Sequence, residues 1–159
     1  MATPPSLTSE LARHLERVLA DHGGWIGFDQ FMELALYTPG LGYYSGGAQK
    51  FGAAGDFITA PEITPLFSRT LAIPAAWIMA HSARQILEAG AGSGLLAAEL
   101  LLELERIDKL PDEYLILDLS GELRARQAET LNAKAPHLLE RIRWLDALPE
   151  RFSGLVLGN

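Results

Sequence analysis

Apolar residues recur at helical spacing near the start of the chain, at Leu7, Leu11, Leu15, Val18 and Leu19. Ser6 or Thr8 can cap this pattern and Gly23-Gly24 stops it, so it predicts an amphipathic opening helix. A second helix is expected over Asp29 to Tyr37, with Phe31, Met32, Leu34 and Ala35 supplying apolar contacts until Thr38-Pro39-Gly40 turns the chain. From Gly40 the stretch GLGYYSGGAQKFGAAGDF loses all periodicity. It predicts a loop anchored by Tyr43, Tyr44 and Phe51. Thr64-Pro65 opens a third expected helix, with proline at its favoured first position, Leu66, Phe67, Leu71 and Trp77 turned inward, and a kink at Pro74.

After His81-Ser82 the texture changes to strand and helix in alternation. Strands are expected at Arg84 to Ala89, Tyr114 to Leu119, Ile142 to Leu145 and Leu155 to Leu157, with helices over Ser93 to Arg106 and Gly121 to Ala133. Alternating βα units imply a parallel sheet with both faces covered. The chain therefore divides into a helical region, residues 1–82, and an α/β region, residues 83–159.

Charge and composition narrow the chemistry. Lys and Arg number 13 against 20 Asp and Glu, a net charge of −7, so a phosphate backbone would meet repulsion and nucleic acid is a poor partner. The absence of cysteine removes disulfides, thiolate nucleophiles and cysteine-based zinc sites. His14, His22, His81 and His137 are scattered without metal-ligand spacing, so no metal is expected. The opening residues resemble neither a secretory signal nor a transit peptide, and no apolar run approaches membrane-spanning length. These readings fit a cytoplasmic protein, which is the expected location.

Residues 86–101, ILEAGAGSGLLAAELL, put Gly90, Gly92 and Gly94 between a strand and a helix. That arrangement aims backbone N–H groups and a helix N-terminus at a nucleotide-sized ligand. The third glycine falls one residue early for the dinucleotide fingerprint, and no Gly-Lys-Ser/Thr follows for a phosphate loop. Glu88 ends the strand, where a carboxylate repels a pyrophosphate and welcomes a cation. Asp118 stands at the end of the next strand, 24 residues beyond Gly94, close to the roughly 20 expected of a ribose-binding acid. Asp146, directly after the third strand, is placed to meet an adenine amino group. S-adenosyl-L-methionine, cationic and free of phosphate, is the cofactor this order of residues fits. Taken singly, Asp118 could cap a helix and Asp146 a turn.

Four stretches carry a resemblance to the MidA-type methyltransferases, which include a mitochondrial complex I assembly-factor arginine methyltransferase. They are GFDQFMELALYTPGLGYY from Gly27, GDFITAPEITPLF from Gly55, ILEAGAGSG, and YLILDLSGELRARQ from Tyr114. Ala91 and Gly121 stand where many members carry proline, and Asp118 where glutamate is usual. The resemblance implies a class I, Rossmann-like methyltransferase fold with the TAPE segment close to the cofactor. It adds Gly55, Thr59 and Pro61 to the cofactor candidates, and Asp56 and Glu62 as candidates for holding an arginine acceptor and taking its proton. It implies a protein substrate, in one branch a respiratory-complex subunit.

A class I sheet orders its strands 3-2-1-4-5-7-6, so these residues are expected to supply the N-terminal half of the sheet, strands 3, 2, 1 and 4. The fourth strand then has an open apolar edge that invites self-association, as expected of a piece of a longer enzyme. Two alternatives stay open: a non-catalytic assembly or scaffold protein that keeps the cofactor fold, and an NAD-dependent oxidoreductase.

Overall fold

The computed structural model describes residues 7–46 and 58–158. Phe51, Gly55 and Asp56 lie outside the described residues. The chain forms two compact units, Met1–Ala48 and Gln49–Asn159.

In the first unit, helix α1 (Leu7–Asp21) and helix α2 (Phe28–Tyr37) pack on each other. Leu11, Leu15, Val18 and Leu19 share the half-buried side of α1, with Arg13, Glu16 and Arg17 exposed opposite, as its spacing requires. Gly24 N–H donates to Leu19 O at 2.7 Å and closes α1 in a left-handed turn. Beyond α2, Tyr43 N–H and Tyr44 N–H return to Ala35 O and Leu36 O, and Tyr44 stacks on Tyr37. The tyrosines thus anchor the start of the glycine-rich stretch.

The second unit begins with a single turn, α3 (Ala60–Ile63), followed by α4 (Pro65–Ala80), whose first turn Thr64 caps by accepting Leu66 N–H. Strand β1 (Gln85–Ala89), α5 (Leu95–Arg106), β2 (Glu113–Leu117), α6 (Gly121–Lys134), a 3₁₀ turn (Pro136–Arg141), β3 (Ile142–Leu145) and β4 (Leu155–Gly158) follow. The sheet order is β3-β2-β1-β4, and every neighbour pair is parallel. That is the order expected of a class I half-sheet, and it puts β1 and β2 at the centre. Their middle residues, Ile86, Leu87, Glu88, Tyr114, Leu115 and Ile116, are all buried. Strand β4 pairs with β1 alone among the described residues, and Val156 is exposed.

Two expectations need correction. The boundary between units falls at Ala48 and not after Ser82, because α4 packs along α5 and shares its core. Helix α4 buries Ser68, Ala72, Ala75 and Met79, while Leu66 and Trp77 are 66% and 65% exposed. Small residues face α5 because that helix presents Ala97 and Ala98, both fully buried, and close packing leaves no room for an indole. Pro74 lies inside α4, on its exposed side.

Candidate cofactor site

The carboxyl ends of β1, β2 and β3 form one rim of the parallel sheet, the place where open α/β sheets hold ligands. The glycine loop leaves β1 here. Gly90, Gly92 and Gly94 have φ of 72°, 53° and 80°, in the left-handed region that side chains disfavour. Gly90 N–H donates to Leu117 O and ties the loop to β2; Gly94 N–H donates to Ala91 O and turns the chain into α5. Because Gly94 is left-handed, α5 starts at Leu95 rather than Ser93. A side chain at Gly94 would also strike α6, its Cβ only 3.0 Å from Gln127 Cα. At Gly90, by contrast, the same atom would meet nothing within 4 Å, so there the loop stands open.

Glu88 is 2% exposed and accepts the Tyr114 O–H on Oε2 at 2.8 Å. Burial pushes its carboxyl up to about 7; the Tyr114 bond opposes the shift and the nearby Asp118 charge adds to it. Tyr114, itself fully buried, is pushed well above its ordinary value by burial first and by Glu88 second. Among the described residues no Lys or Arg pairs with Glu88.

A cleft opens over the loop, lined by Thr59, Pro61, Glu62, Glu88, Gly90, Gly92 and their neighbours Ala91, Ser93 and Leu96. Six of the candidates read from sequence therefore meet in one place. Glu62, at the end of the TAPE segment, hydrogen-bonds Ser93 and so bridges α3 to the glycine loop. Among the described residues the lining holds two carboxylates and no basic side chain, which suits a cationic ligand and opposes a pyrophosphate.

Gly94, Asp118 and Asp146 stand outside that lining, along the rim. Asp118 is 6% exposed; its Oδ1 accepts Ser120 N–H at 3.0 Å and its Oδ2 accepts Gln127 Nε2 at 2.8 Å. Ser120, and not Asp118, caps α6 by accepting Leu123 N–H. Asp146 is 94% exposed and ion-pairs with Arg124 Nη1 at 2.7 Å. Arg124 also donates to the carbonyls of Asp118 and Leu145, clamping the ends of β2 and β3 together. Arg124 and Gln127 were not among the sequence candidates. Gln127 did leave a signal, since it interrupts the stripe Leu123, Leu131 at i+4 spacing, where an apolar residue is expected.

Comparison with known proteins decides the family. Residues 71–159 match the family model described as "Putative S-adenosyl-L-methionine-dependent methyltransferase". The chain belongs to this family. It is similar to a solved structure from Burkholderia thailandensis bound to S-adenosyl-homocysteine, with 55% identity and a TM-score of 0.87 over 99% of this chain and 43% of that one. A second, native structure from the same organism gives 52% identity and a TM-score of 0.82. The mitochondrial protein arginine methyltransferase NDUFAF7 of Danio rerio is 33% identical over 79% of this chain and 31% of its own length. The Caenorhabditis elegans homolog is 30% identical over 80% and 33%. The chain thus spans about a third of the curated relatives it matches. The methyltransferase family and its class I Rossmann-like fold agree with the resemblance read from the motifs.

Proposed function

We propose that this chain holds S-adenosyl-L-methionine at the rim of its sheet, as the cofactor-binding part of a methyltransferase that modifies a protein side chain, arginine by analogy with the mitochondrial relatives. The observation that carries this reading is the cleft itself: open glycine backbone and, among the described residues, a buried carboxylate paired with no cation and a lining with no basic side chain. Glu88 takes the amino acid ammonium. Asp118 takes the ribose hydroxyls, and the exposed Leu119 beside it offers an apolar face to the base. Thr59, Pro61 and Glu62 cover the other side of the cleft.

S-adenosylmethionine supplies an electrophilic methyl group on a sulfonium. The work left to the protein is to orient the acceptor nitrogen in line, exclude water and accept the proton that nitrogen sheds. Glu62 sits at the cleft for the last task and is suited to a guanidinium, which a carboxylate binds in a planar, two-pronged contact. Asp56 keeps its candidacy from the sequence alone.

Calorimetric titration with S-adenosylhomocysteine, using NAD and a Gly92→Val variant as controls, tests the cofactor half of the proposal. Binding is expected to be specific and to disappear in the variant. Equal binding of NAD would refute it. Transfer of labelled methyl to arginine-containing protein tests the acceptor half, and binding without transfer would favour a scaffold that keeps the cofactor.

A further inference from the structure

Gln127 lies on the buried stripe of α6, between Leu123 and Leu131, with no exposure at all. Burial alone favours an apolar side chain at such a position, since a buried carboxamide costs stability unless every polar atom is paired. Here they are paired, and across three elements. Nε2 donates to Asp118 Oδ2 at 2.8 Å and to Gly92 O at 3.3 Å, while Oε1 accepts the Trp144 indole N–H at 2.9 Å.

The chemistry of the partners fixes the amide's orientation. An indole N–H can only donate, and a carboxylate and a carbonyl can only accept, so a flipped amide would face repulsion on both sides. Main-chain contact reinforces the side chain, because Gly94 lets Gln127 Cα approach the loop. One residue therefore joins the loop after β1, the acid after β2 and the indole on β3.

Asp118 is then held by two N–H groups, one on each oxygen. A carboxylate offers about four acceptor positions, so two remain, in a fixed plane, for two vicinal hydroxyls. We propose that Gln127 is the positioning residue for ribose recognition, holding the Asp118 carboxylate and the Gly92 carbonyl in the one arrangement that receives the cofactor's diol. This inference rests on the reading of the site as one for S-adenosylmethionine.

The experiment compares S-adenosylhomocysteine with its 2′,3′-dideoxy analogue, by calorimetry, on wild type and Gln127→Leu. Wild type is expected to prefer the natural ligand. The variant should lose about tenfold in affinity for it, the worth of one hydrogen bond to a charged group, and change less than about twofold for the analogue. Equal weakening for both ligands, or none, would overturn the proposal and leave Gln127 a packing residue. Failure of wild type to bind S-adenosylhomocysteine removes the cofactor reading and this inference with it.

Gln127→Glu keeps the shape and decides the matter if the leucine variant does not fold. Asp118 is the titratable group facing position 127 among the described residues, with Glu88 behind it. A protonated glutamate can donate to Asp118 as the amide does; an ionised one repels it. The ratio of variant to wild-type Kd, which cancels the effect of Glu88, should therefore rise from pH 6 to pH 8, and a flat ratio would overturn the proposal.

Discussion

Replacing Glu88 by glutamine should remove a pH dependence of stability that wild type carries. The folded carboxyl titrates near 7 because it is buried, whereas in the unfolded chain it titrates near 4.5. Below pH 4.5 both states hold the proton and the folded state keeps its full stability. Between those values the unfolded chain sheds its proton and the folded chain retains it, so stability falls by about 1.4 kcal/mol per pH unit. Above pH 7 the accumulated loss is about 3 kcal/mol. Glutamine keeps the size and can accept the Tyr114 O–H, but it never ionises. Urea unfolding followed by tryptophan fluorescence at pH 5, 6, 7 and 8 gives the comparison. The variant should gain on wild type by about 2.5 kcal/mol across that range, part of the loss being already complete at pH 5, and curves that stay parallel would refute the burial argument. Ligand affinity should run the other way. A bound ammonium favours the ionised carboxylate, so wild type should bind S-adenosylhomocysteine more tightly at pH 8 than at pH 6, and Glu88→Gln should show little of that gain.

Tyr114→Phe removes a hydrogen bond that favours Glu88 as an anion; the pH midpoint of ligand affinity should move upward, and titrations at several pH values would show it. Gly94→Ala should cost about 2 kcal/mol or more in a denaturation experiment, from a left-handed φ of 80° and a methyl pressed on Gln127. Arg124→Ala should cost about 2 kcal/mol by the same measurement, since two backbone carbonyls lose their donor. Asp146→Ala, which gives up only a solvent-exposed ion pair, should cost about 0.5 kcal/mol or less. Equal costs for those two would mean that the clamp on β2 and β3 is not what Arg124 supplies.

The parallel sheet and the glycine loop were legible because short apolar runs ending in glycine or acid allow few other readings, and Glu88 was conspicuous as a charge inside such a run. Helix α4 was misread for the opposite reason. Apolar residues occupy every position from Leu71 to Ala80, so periodicity cannot mark the buried side, and the closeness of α5 selects the small side chains. Arg124 looks like an ordinary polar position on a helix, and Gln127 signals only that it breaks an apolar stripe, not what it bonds. Their partners, Gly92, Asp118, Trp144 and Leu145, are distant in sequence, and only the fold brings them within reach. Asp146 was correctly placed after β3, but nothing in its neighbourhood along the chain announces the pairing with Arg124.

The order β3-β2-β1-β4 also sets a sequence of events. Pairing of β1 with β2 needs only α5 to be in place, and pairing of β2 with β3 only α6 and its 3₁₀ turn. Joining Ile86 to Leu155 must wait for everything between them. Closing the longest loop makes β4 the last of these four strands to dock. Amide hydrogens on β4 should therefore exchange with solvent well before those on β2, a gradient of opening across the sheet that leaves the glycine loop's attachment to β2 through Gly90 intact while β4 breathes.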